Sequence, residues 1–126
     1  MKDVRQGQKT VKSTRPWGDI HMVVRNQNCS VDLTHVKPGE RASLHSHDVR
    51  SELFHFLDDG AYLQIGDQIY RPAAHEEFML SPGMKHRFWA DETDFRMLVV
   101  CFGQWEAGDQ TRHEDDYGRE GQELKL

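Results

Sequence analysis

"LFHFLDDGAYLQIGDQIYR", residues 53–71, holds three short apolar or alternating runs separated by Asp-Asp-Gly and Gly-Asp. Each run is too short for a helix, and short runs bounded by turn residues predict strands. "AYLQIGDQIY" reads as a hairpin, because Gly66-Asp67 suits a two-residue turn in which glycine supplies the positive φ that the strand twist demands. The same punctuation continues in both directions. Strands are expected near residues 20–25, 29–36, 41–47, 53–57, 61–65, 68–71, 77–80, 86–89 and 95–102. Within "CSVDLTHV" (29–36), Cys29, Val31 and Leu33 share one face and Ser30, Asp32 and Thr34 the other, the two-residue period of a half-buried strand. Many short strands without a helical pattern of useful length predict an all-β architecture, a jelly roll or barrel whose two sheets face each other.

A chain of 126 residues is most simply one domain, 1–126, with a core over about 15–103, an N-terminal arm and a charged C-terminal arm over 104–126. At this size folding hides roughly two thirds of the unfolded surface, enough for one ordinary core. No apolar run approaches the roughly 20 residues needed to span a bilayer, which excludes membrane insertion by helices. "MKDVRQGQKTVKSTRPWG" is polar where a secretory signal would be apolar, so a cytoplasmic location is expected. The formal net charge of -5 argues against a nucleic-acid partner and leaves a small molecule as the better one. Cys29 and Cys101 lack the close pairing of a zinc ribbon or redox motif and are expected to be buried free thiols. The terminal stretch "GQWEAGDQTRHEDDYGREGQELKL" is charged and weakly periodic, a composition typical of a loose tail, although it could also lie across the domain or onto a partner.

"HSHDVRSE", residues 45–52, follows a Lys-Pro-Gly turn. His45 and His47 are two apart, so on a strand both imidazoles point the same way and can reach one ion at roughly 2.0–2.2 Å. Glu52 lies an odd number of residues beyond His47, so "DVRS" must bend to return its carboxylate to that face. "SPGMKHRFW" offers His86 as a fourth donor just after a Pro-Gly turn. Taken alone, the octapeptide fits a metal site or a polar strand end.

"PGERASLHSHDVRSE" with Gly60 and the later "PGMKH" resembles the two-part signature of the cupin superfamily, filled here by Gly39, His45, His47, Glu52, Gly83 and His86. A narrower resemblance rests on "RPWG" (15–18), "KPGERASL" (37–44), Arg50 with Glu52, "KHR" (85–87) and "RHEDDYGR" (112–119). These are similar to the C-terminal isomerase domain of type II mannose-6-phosphate isomerases, over residues 15–119. Departures are His45, where that domain usually has glutamine, Val49, where it has a further histidine, and a shorter segment between Gln104 and Arg112. The resemblance implies a cupin jelly roll (a double-stranded β-helix) and a divalent ion, zinc, manganese, iron, nickel or cobalt, held by His45, His47, Glu52 and His86.

It further implies isomerisation of a phosphorylated aldose and ketose, mannose 6-phosphate and fructose 6-phosphate. Candidate acid–base groups are Lys37, Glu76 and Glu77. Candidate phosphate ligands are Arg15, Arg50, Lys85 and Arg112, cations of the kind a phosphate needs. The same donor set would also serve a metal-dependent dioxygenase acting on a small organic substrate, or a non-catalytic cupin binding a sugar or small carboxylate. His55 is expected in the core or lining a cavity; His21, His35, His75 and His113 are expected to be ordinary polar positions, and Trp17, Trp89 and Trp105 packing residues. Exposed sheet edges and the C-terminal arm point to a homodimer.

Overall fold

A computed structural model describes residues 8–9 and 11–121. Twelve strands follow one another: β1 (Gln8–Lys9), β2 (Val11–Arg15), β3 (Gly18–Met22), β4 (Cys29–Val36), β5 (Leu44–Ser46), β6 (Ser51–Phe56), β7 (Ala61–Ile65), β8 (Gln68–Tyr70), β9 (Glu76–Leu80), β10 (His86–Ala90), β11 (Phe95–Phe102) and β12 (Thr111–Glu114). They form two five-stranded sheets, in the orders β1-β9-β6-β11-β4 and β12-β5-β10-β7-β8, with β2 and β3 as a separate hairpin. Every pairing within the sheets is antiparallel. No helix among the described residues is long and apolar enough to cross a membrane.

Alternation along the strands builds the interior. In β6, Phe54 and Phe56 join the core, where they meet Phe78 and Leu80 of β9, Phe95 and Met97 of β11, and Leu63 and Ile65 of β7. Edge-to-face contacts between Phe54, Phe56, Phe78 and Phe88 fill the space between the sheets. Glu52 shares the period of Phe54 and Phe56, so the same strand carries a carboxylate inward at one end of this core. The hairpin at residues 61–70 has the expected register, with Ile65 opposite Gln68 and Gly66 at φ 57.

Three sequence expectations need correction. The alternation in β4 is present, but its apolar side faces solvent: Val31 is 55% and Leu33 65% exposed, and Cys29 is exposed while Cys101 is buried. The reason is register: Thr34 and Asp32 stand opposite Met97 and Val99 of β11, so the polar side of β4 shares the inner face with core residues. Of the two readings of the C-terminal arm, the loose tail fails over its described part and the arm laid across the domain holds. It forms β12 against β5, and Arg41 holds Asp116, Arg87 holds Glu114, and Tyr117 donates to Glu40. Finally, the expected strand at 41–47 is narrower, Leu44–Ser46, with Arg41 making only an isolated bridge to Trp89.

Candidate metal centre

His45 lies on β5 and His86 at the start of β10, directly opposite one another in the ladder. His47 follows β5, and Glu52 sits on β6 in the other sheet, so the four meet between the two sheets. All four are buried, and one donor atom from each lies within 4.8 Å of the others.

Each imidazole is oriented by its outer nitrogen. Nδ1 of His45 donates to the carbonyl of Ser43 (2.8 Å), Nδ1 of His47 to that of Asp109 (2.7 Å), and Nδ1 of His86 to that of Met84 (2.9 Å). A neutral ring that donates from Nδ1 presents its lone pair at Nε2, the form that ligates metals. Nε2 of His47 and of His86 stand 3.0 and 3.2 Å from Oε1 of Glu52. None of these three buried atoms has a hydrogen-bond partner. Acceptors so placed in a dry interior are costly unless a cation lies among them. The donor set therefore fits a divalent ion of the nitrogen- and oxygen-binding class.

Charge agrees with that fit. Burial and the neighbouring His86 and His47 push His45 down to about 3, so its ring is neutral. Burial alone would raise the Glu52 carboxyl, but His47 and His86 outweigh it and hold the group well below the usual carboxylate range. The other carboxylate oxygen is supported separately: the Cys101 thiol donates to Oε2 at 3.4 Å, and Nε of Arg50 lies 3.9 Å from it. Burial, then the charge of Glu52, raises Cys101 to about 12, keeping it a neutral thiol.

The bend demanded by "DVRS" is built by Asp109. Its Oδ1 accepts the backbone N–H of Asp48 and Val49, and its Oδ2 that of Arg50, at 2.7, 3.0 and 3.0 Å. One residue of the C-terminal arm thus fixes the His47 ring through its carbonyl and turns the chain towards Glu52 through its carboxylate. Nothing in the local pattern around "GDQ" announces this, because its partners lie about sixty positions earlier.

A cavity of about 240 Å³ opens beside the cluster, lined by Asp32, Thr34, Arg50, Phe88, Trp105 and Gln110 as well as His45, His47 and Glu52. Asp32 is the carboxylate in this lining apart from Glu52, and among the described residues it has no hydrogen-bond or ion-pair partner. The sequence reading missed it because it assigned no role to the polar side of β4. Arg50 is brought to the cavity, where it lies over the Trp105 ring and donates to the Glu106 carbonyl.

The remaining candidates lie elsewhere. Arg15 and Lys85 are exposed, on the β2–β3 hairpin and before β10. Arg112 is buried opposite His45 on β12 and donates to the Arg119 carbonyl. Glu76 accepts from the Ala73 N–H, and Glu77 is buried against His55, so neither lines the cavity. Lys37 lines an adjoining pocket.

A closed pair of antiparallel sheets with this cluster between them defines a cupin. The family described as mannose-6-phosphate isomerase C-terminal matches residues 2–115, and the chain belongs to it. It is 28% identical over 110 residues to the xanthan biosynthesis protein XanB of Xanthomonas campestris pv. campestris (strain B100), a match that covers 86% of this chain and 24% of that protein. The chain thus spans only about a quarter of that relative's length. Its fold is similar to that of a dTDP sugar isomerase from Desulfovibrio desulfuricans G20 (TM-score 0.71, 13% identity, 90% of this chain and 85% of that one). It is also similar to ChmJ, a 3'-monoepimerase from Streptomyces bikiniensis in complex with dTDP-quinovose (TM-score 0.70, 12% identity, 83% of this chain and 67% of that one). At these identities the likeness is one of fold.

Proposed function

We propose that the protein is a metal-dependent isomerase that interconverts mannose 6-phosphate and fructose 6-phosphate in the cavity beside His45, His47, Glu52 and His86. The observation that carries this reading is the meeting of four metal donors and an unpaired carboxylate, Asp32, in one cavity. A divalent ion held by the four residues would supply positive charge to polarise a substrate carbonyl. The chain's own groups account for the rest. Asp32, which is exposed, takes the proton from C2 of the aldose, exchanges it with solvent and delivers one proton to C1, while the hydroxyl proton on O2 moves to O1, so the step balances. Thr34 and Gln110 offer hydrogen bonds to sugar hydroxyls, and Phe88 and Trp105 form an apolar wall that limits water. Family membership supports a sugar isomerase over an oxygenase, although the donor set suits both.

Metal-loaded protein incubated with mannose 6-phosphate under argon in deuterated buffer tests the reading. Fructose 6-phosphate should form with deuterium at C1. Absence of product together with oxygen uptake by the iron-loaded protein would replace the isomerase with the dioxygenase alternative.

A further inference from the structure

A second pocket, of about 380 Å³, lies next to the metal cavity and shares two lining residues with it, Thr34 and Phe88. Inward residues of β4 connect the two: Asp32 lines the metal cavity, Thr34 both, and Val36 the second pocket. Along a strand, Asp32 to Val36 is about 13 Å, so the two form a groove of that order of length. The metal cavity alone, about 240 Å³, is below the roughly 300 Å³ at which small-molecule sites begin. With the second pocket the groove falls within the usual range.

The far end of this groove is cationic. Its lining includes Lys37, Arg41 and Arg119 against a single carboxylate, Glu40, which accepts from the Tyr117 hydroxyl. Arg41 uses Nε and Nη2 to hold Asp116, and Arg119 uses Nε and Nη2 to hold Asp115. Among the described residues, Nη1 of each guanidinium and Nζ of Lys37 remain unengaged. The aspartates fix both guanidinium planes, so two donors are held in place beside one mobile ammonium. The two stretches "KPGER" and "EDDYGR" meet here, and the metal centre explains neither of them.

We propose that this outer pocket is an anion subsite that binds the phosphate monoester of a sugar phosphate whose reacting end lies at the metal cavity, with Lys37 as the principal ligand and Nη1 of Arg41 and Arg119 assisting. The inference rests on the sugar-phosphate reading above for the identity of its ligand. It gives Lys37 the task of binding phosphate and not of moving a proton, and it places the phosphate away from Arg15 and Lys85. Charge-assisted hydrogen bonds of this kind account for the selection of a phosphorylated sugar over a neutral one.

Calorimetric titration of the metal-loaded full chain with mannose 6-phosphate, mannose and inorganic phosphate tests the subsite independently of turnover. Wild type should bind mannose 6-phosphate at least about tenfold more tightly than mannose. Lys37→Ala should remove most of that difference without changing the affinity for mannose, and Lys37→Arg should restore it. Lys37 is exposed, so its replacement leaves the fold intact, and an unchanged thermal midpoint verifies this. Lys37-dependent binding without conversion would retain the subsite and reject the isomerase. Equal affinities of wild type for the two sugars, absence of binding of mannose 6-phosphate, or a Lys37→Ala variant that binds it like wild type would overturn the subsite. In that last case, conversion at the wild-type rate would leave the isomerase standing.

Discussion

Asp109 shows how much of a metal centre can depend on a residue that is not a ligand. Its carbonyl fixes the His47 tautomer and its carboxylate caps three consecutive N–H groups of the turn that precedes Glu52. Asp109→Ala keeps the carbonyl but releases the turn, and metal affinity measured by competition with a chelator should fall about 10–100-fold. The four donors were legible because the cupin-like signature joins "HSHDVRSE" to the distant "PGMKH"; taken alone, the octapeptide fits a metal site or a polar strand end. Asp109 and Asp32 were not legible. The first acts on a turn about sixty residues away, and the second acquires its place only when the inner side of β4 is known. The pH dependence of the metal-free protein follows from the same atoms. His45 is held near 3 against an ordinary 6.5, so below about 6.5 the unfolded chain binds a proton that the folded site refuses. Glu52 acts in the same direction: its depressed value contributes stability above the ordinary carboxylate range, which is lost as pH falls through it. Denaturant midpoints of the metal-free protein should therefore decline from pH 7 towards pH 4.

At the scale of elements, the C-terminal arm departs furthest from its composition. Its charges do not solvate a tail; they pair with fixed partners. Arg119 holds Asp115 well below the ordinary carboxyl value of 3.8, and Arg41 holds Asp116 below it. A depressed carboxyl stabilises docking above that value and ceases to do so as pH falls below it. The Arg41–Asp116 pair is exposed, so salt should weaken it too. The protection of amides 111–119 against hydrogen exchange, relative to the unstructured rate at the same pH, should thus fall below about pH 4 and in high salt, before that of the core strands does. Charge counts alone cannot distinguish a solvated run from a paired one, which is why β12 was missed while the hairpin around Gly66-Asp67 was read correctly from its turn. Gly60 is another position set by an element boundary. Its φ is 102, and a Cβ there would lie 2.7 Å from Oγ1 of Thr93. Gly60→Ala should lower stability by roughly 1–3 kcal/mol, measured by denaturant unfolding, while Gly39→Ala, also at positive φ but meeting nothing within 4 Å, should cost less.

At the scale of the whole molecule, two sheets enclose an aromatic and aliphatic core, and one end of the space between them is given over to polar chemistry. The architecture was legible because no stretch of the described chain offers a helical period and turn residues recur every few positions. Which side of each strand faces inward was harder to read, since β4 turns its apolar side chains outward and its polar ones towards the cavity. That inversion is what makes room for Asp32 and Thr34 beside the metal donors, and for the groove leading to Lys37. The central claim is that His45, His47, Glu52 and His86 hold one divalent ion on which sugar-phosphate isomerisation depends. Its most direct test is the rate of mannose 6-phosphate conversion by metal-free protein titrated with each of zinc, manganese, iron, nickel and cobalt. Conversion should rise with bound ion, level off at about one equivalent for at least one of these metals, and vanish in His47→Ala. Full loading without conversion by any of the five, or equal conversion by the metal-free protein, would contradict the account.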